Sequence, residues 1–124
     1  MGPAQLLQWQ WDGYPRYHLS HTNPLIHIVA VPLFLAGNIA LVVALLRGSI
    51  TGAAVGLACM VVPIVLEGRG HKLEQNPPEP FTSVLNAVGR LYFEQWITFP
   101  RFLLSGGWFR ALRTSAKQAR PDRT

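Results

Sequence analysis

The chain has 124 residues, enough for one domain and too few for a second of ordinary size. Its single cysteine, Cys59, excludes a disulfide framework or a cysteine-cluster zinc site, and 49% hydrophobic against 14% charged residues excludes disorder and argues against an ordinary soluble domain. The net charge of +5 is uneven: basic residues dominate from Arg101 onward, whereas Tyr17–Leu46 carries no Lys, Arg, Asp or Glu, which suits a membrane surface rather than nucleic acid.

Residues 1–24 read as an interfacial segment with a short helix, because Trp9, Trp11, Tyr14 and Tyr17 are rings that favour the membrane–water boundary. Asn23–Pro24 reads as an N-cap followed by proline at the first helical position. Leu25–Leu46 is then 22 residues without a formal charge. At ~1.5 Å per residue it reaches about 33 Å, enough for a bilayer core of about 30 Å. Arg47–Gly48 is a tight connection, and Ser49–Leu66 is a second uncharged run of 18 residues. Its Gly52, Ala53, Ala54, Gly56 and Ala58 allow close helix approach, and such faces are expected to self-associate. The alternative, two buried helices of a soluble bundle, leaves few polar faces for solvent. Neither run has the basic leader and small-residue cleavage site of a signal peptide.

Residues 67–80 read as a motif-bearing loop, since Gln75–Pro80 holds three prolines. Phe81–Phe99 resumes helical spacing, with Phe81, Val84, Leu85, Val88, Leu91, Tyr92 and Phe99 on one face. Arg90 and Glu94 stand at i,i+4 on the other side and read as a solvated pair. Phe102, Leu103, Leu104, Trp108, Phe109 and Leu112, interleaved with arginines, predict an interfacial amphipathic segment broken at Gly106–Gly107, and Ala116–Thr124 is expected to fray. The expected fold is all-α: one membrane domain, a helical hairpin of two spanning helices (25–66) flanked by interfacial amphipathic helices. The excess of positive charge outside the Arg47 loop predicts both termini on the cytoplasmic side, of a bacterial inner membrane or the endoplasmic reticulum.

Two crossings return the chain to its starting side, so His71 arrives at the membrane face that holds His18, His21 and His27. An ionisable side chain as deep as His27 faces the protein interior and has a partner. His71 and Glu74, at i,i+3, share a face if that stretch is helical. These imidazoles and a carboxylate suit a first-row transition metal, iron(II) among them, with His18, His21, His27, His71 and Glu74 as candidate ligands. Glu67 reads as a helix-end charge rather than a ligand. Nucleophile elbow, P-loop, dinucleotide fingerprint and basic–aromatic nucleic-acid platform are all absent from the sequence.

Tyr17-His18, Asn23, His27 and Pro32, followed after the hairpin by Gly70-His71-x-x-Glu74-x-Asn76-Pro77, resemble the small membrane family that includes the yeast 2-hydroxy-fatty-acid dioxygenase. The resemblance covers Tyr14–Pro80. It implies a non-heme Fe(II) dioxygenase of fatty-acid α-oxidation that uses O2 to shorten a 2-hydroxy fatty acid by one carbon. Carried onto this chain, His18, His27, His71 and Glu74 are the implied catalytic residues. His21 stands where many relatives have no histidine, Ala30 where glycine is common, and two spans replace four. A 2-hydroxy carboxylate can chelate a metal while its acyl tail stays in lipid. Arg16, Asn23 and Lys72 are the substrate-binding candidates, and Arg69 also flanks the motif, although such cations also occur as plain interfacial charges. The competing reading is a non-catalytic hairpin that binds lipid, heme or a protein partner.

Overall fold

The computed structural model describes residues 1–119, and among them every regular element is helical. α1 (Pro3–Gly13) starts on a proline, with the Gly2 amide donating to Gln5 Oε1 at 3.0 Å. A 3-10 turn (Tyr14–Tyr17) follows and hands the chain to His18. α2 (Thr22–Leu46) and α3 (Ile50–Lys72) form the hairpin. Gly48 makes the turn at φ 67°, where a side chain would be strained, and Ser49 caps α3 by accepting from the Gly52 amide at 3.0 Å. α4 (Val84–Phe93), capped by Ser83, runs into a π-helical turn (Glu94–Thr98) and α5 (Phe99–Leu104). Gly106, at φ 83°, breaks the chain before α6 (Gly107–Ala119), as the glycine pair predicts. The tail expected to fray is helical as far as Ala119, and its remainder lies outside the described residues.

Two boundaries differ from expectation. α2 begins at Thr22, and Asn23 does not cap it; the Asn23 side chain is fully buried and hydrogen-bonded to Glu74 instead. α3 continues past Leu66 to Lys72, so Glu67 and His71 are helical and the motif loop starts at Leu73. Gly68 and Gly70 weaken the helix in 67–72 without stopping it, no proline intervenes, and the basic Arg69, His71 and Lys72 suit its C-terminal turn.

α2 and α3 meet most closely where Gly37 faces Gly56 and Cys59. A Cβ on Gly37 would stand 2.7 Å from Cys59 Cβ, and one on Gly56 would stand 2.7 Å from the Leu41 amide nitrogen. Gly37, Gly52 and Gly56 are therefore used inside the hairpin, helix against helix, while Ala54 and Ala58 stay exposed. Both helices are long and apolar enough to cross a membrane, with mean hydropathy 2.5 and 2.0. Protein covers only 28% and 22% of their apolar stretches, unlike the core helices of a soluble bundle. Val29, Ile39, Val42, Val55, Val61 and Val65 stay exposed, as on a lipid-facing hairpin.

The remaining helices pack around one end of the hairpin. Tyr14, Val31, Phe99 and Phe102 form the core there. Trp108 Nε1 donates to the Pro24 carbonyl at 2.8 Å, which ties α6 to the start of α2. Gln10 Nε2 donates to the Arg90 carbonyl at 2.8 Å, and Thr98 Oγ1 donates to Gln10 Oε1, tying α1 to the α4–α5 rod. Val84, Leu85 and Val88 at the start of that rod are exposed, whereas further along the same stripe Tyr92 packs against Phe34 and Phe99 is buried.

Candidate metal centre

His18, His27, His71 and Glu94 converge at this end of the hairpin, with one ligand-type atom from each lying within 4.8 Å of the others. They come from four elements: the end of the 3-10 turn, the second turn of α2, the last turn of α3 and the π-helical turn. The three imidazole centroids form a near-equilateral triangle with sides of 5.2, 5.2 and 5.1 Å. Their planes are mutually near-perpendicular, at 82°, 79° and 82°. Three rings converging edgewise on one point are suited to one face of a metal ion.

Backbone carbonyls fix how two of these rings present themselves. His18 Nδ1 donates to the Tyr14 carbonyl at 2.6 Å, and His27 Nδ1 donates to the Asn23 carbonyl at 3.0 Å, each one helical turn back. With the proton on Nδ1, each Nε2 offers a lone pair inward. His18 Nε2 is buried and has no hydrogen-bond partner among the described residues. His27 Nε2 lies 3.0 Å from Glu94 Oε1, and His71 Nε2 lies 4.0 Å from the same oxygen. Two acceptors 3.0 Å apart, one in a ring with no solvent exposure, need a cation between them: a proton, which makes the pair a hydrogen-bonded imidazolium–carboxylate, or a metal ion. About 3 Å is also the spacing of two atoms bound at right angles to one ion through bonds of about 2.1 Å.

The local electrostatics agree. Burial, then the neighbouring His27, lowers the His18 imidazole to about 3, so it stays a neutral donor. Burial alone would raise the Glu94 carboxyl, but the His27 and His71 rings outweigh it and hold it ionised well below the usual carboxylate range. Tyr14 stacks on His18 with centroids 3.8 Å apart and fixes its plane.

Of the residues expected from sequence to bind metal, His18, His27 and His71 are brought together, and His21 and Glu74 are not. His21 is exposed just before α2, outside the cluster. The Glu74 carboxylate accepts from the Leu19 amide at 2.7 Å, from the Ser20 amide at 2.9 Å and from Asn23 Nδ2 at 2.9 Å. It has the amides of the His18 loop to satisfy and so anchors that loop. Asn23, expected to touch substrate, spends its side chain on Glu74 and its carbonyl on His27. A Cβ on Gly70 would collide with Asn23 Oδ1, which explains why glycine precedes His71.

Glu94 is the candidate ligand that sequence reading missed. The expected solvated pair does not form: Arg90 donates to the carbonyls of Glu79 and Pro80 at 2.9 and 3.2 Å and lies over the Trp9 and Phe81 rings. Glu94 instead faces the histidines. The available signal was weak: Glu94 is the only acid between Glu79 and Asp122. The wide π-helical turn that re-aims it has no sequence signature, although such turns recur at functional sites.

A cavity of about 630 Å³ opens beside the cluster and is lined by His18, His71 and Glu94. Tyr14, Ile64, Glu67 and Leu91 line its wall, and Arg16 and Lys72 its cationic rim. Two of the three expected substrate-binding residues, Arg16 and Lys72, therefore border the space a ligand would fill. Among known proteins, no family model, curated protein or solved structure matches this chain.

Proposed function

We propose that this chain is a membrane-embedded non-heme iron(II) dioxygenase that shortens a 2-hydroxy fatty acid by one carbon. The observation that carries the reading is the inward-facing His18–His27–His71–Glu94 set, open to a cavity at the end of an apolar hairpin. Nitrogen and oxygen donors without sulfur suit iron(II) among first-row metals. Iron would supply O2 activation and Lewis acidity. One 2-hydroxy acid and one O2 balance as the acid one carbon shorter, CO2 and water.

The chain's own residues supply position and environment. Arg16 and Lys72 at the rim attract the substrate carboxylate, while Ile64 and Leu91 offer an apolar wall to its alkyl chain. Glu74 and Asn23 hold the His18 and His27 segments in register. The hairpin keeps the acyl tail in lipid, with both termini on the cytoplasmic side and, where copies associate, with the outer apolar faces in contact.

The test is mass spectrometry of aerobic and anaerobic incubations with iron(II) and 2-hydroxy acids of several chain lengths. A shortened product is expected only with O2 and iron, and not from His71→Ala. Failure at every chain length would favour the non-catalytic lipid-binding reading.

A further inference from the structure

Glu67 lies one helical turn before His71 on α3 and lines the same cavity. Its side chain is almost fully buried, at 4% exposure. Gln95 Nε2 donates to Glu67 Oε2 at 2.7 Å and fixes the carboxyl. Glu67 Oε1 has no hydrogen-bond partner among the described residues. Tyr14 lines the same cavity, and its hydroxyl is likewise buried without a partner among them. Buried polar atoms are nearly always satisfied, so an orphan acceptor and an orphan donor in one cavity mark groups that a ligand completes. Gln95 directly follows Glu94, so the same π-helical turn sends one side chain to the metal cluster and the next to Glu67. Structural need does not explain a carboxyl here, because an amide would satisfy Gln95 equally well.

We propose that Glu67 is the catalytic base of this cavity and takes the 2-hydroxyl proton of a bound 2-hydroxy acid. The identity of that ligand rests on the oxygenase reading. The hydroxyl O–H bond breaks with its electron pair left on oxygen, and the proton bonds to Glu67 Oε1. The Tyr14 hydroxyl donates a hydrogen bond to the oxygen left behind. The carboxyl becomes neutral as the substrate oxygen becomes negative, so the net charge of the pair is unchanged.

The test is infrared difference spectroscopy of the iron(II)-loaded protein under anaerobic conditions, with 2-hydroxypalmitic acid and palmitic acid as probes. The 2-hydroxy acid should raise the band of a newly protonated carboxyl, and palmitic acid should not. The band should shift when the chain carries δ-13C-glutamate. It should vanish in Glu67→Gln, which keeps the Gln95 hydrogen bond and is expected to keep its iron. No band in the wild type, or a band that survives in Glu67→Gln, overturns the assignment. If that variant fails to fold, Glu67→Asp replaces it in the labelled chain, and a 13C-shifted band that persists in Glu67→Asp belongs to another glutamate and overturns the assignment. Product analysis with O2 separates the two ideas. A Glu67 band without shortened product sinks the oxygenase and keeps the base; product without the band sinks the base alone.

Discussion

Replacing Glu74 with glutamine separates a supporting residue from a ligand. The Glu74 carboxylate accepts hydrogen bonds from the Leu19 amide, the Ser20 amide and Asn23 Nδ2, and is 8% exposed. Glutamine has the same shape but only one acceptor oxygen, and its NH2 group would face either Leu19 or Asn23, donor against donor. One buried N–H loses its partner, at about 1–3 kcal/mol, and the surviving bonds lose their charge assistance, so about 2–4 kcal/mol of stability should go. Metal affinity should fall about 10–100-fold, as for an outer support, with one ion per chain still bound at saturation. Glu94→Gln should behave oppositely: a smaller stability change in the metal-free protein, because no backbone amide is orphaned, and a larger loss of metal. The assay is denaturant unfolding of the metal-free variants in detergent micelles, with metal titration of each. If Glu74→Gln unfolds like the wild type but loses its metal, Glu74 is a ligand and the assignment here is wrong.

Gly70→Ala should disturb the site without touching a ligand, since its Cβ would displace Asn23 from Glu74; a metal titration unchanged from wild type would contradict this. Gly37→Val should separate α2 from α3 at their closest approach, against Gly56 and Cys59, and lower the unfolding midpoint more than Val29→Ala on the exposed face; equal midpoints would count against the packing. Single cysteines at Ser49 and Gln75, in a Cys59→Ala background, should label from opposite sides of the membrane; labelling from one side would end the spanning hairpin. Arg16→Gln and Lys72→Gln should weaken 2-hydroxy acid binding while leaving metal content intact; an unchanged affinity in the double variant would remove the cationic rim from the substrate site.

The hairpin and the three histidines were legible because they rest on local signals. Uncharged runs of 22 and 18 residues fixed two long helices, and two crossings necessarily return His71 to the side of His18 and His27. Roles set by tertiary hydrogen bonding were not legible. Glu74 has metal-ligand spacing to His71, yet nearby backbone amides claim it. Glu94 has ion-pair spacing to Arg90, yet Arg90 is held by the carbonyls of Glu79 and Pro80. Glu67 resembled a helix-end charge because α3 was expected to stop at Leu66, and the six further helical residues bury it. In each case the competing partner lies on a different element, beyond the reach of periodicity.

The central claim is that His18, His27, His71 and Glu94 hold one metal ion. Its most direct test is metal analysis and X-ray absorption on protein purified from membranes without chelators. The account predicts one first-row transition-metal ion per chain, bound by imidazole nitrogen and carboxylate oxygen with no sulfur, and lost in His27→Ala. A metal-free wild type that takes up no iron(II), sulfur in the ligand set, or full metal retention in His27→Ala would contradict it.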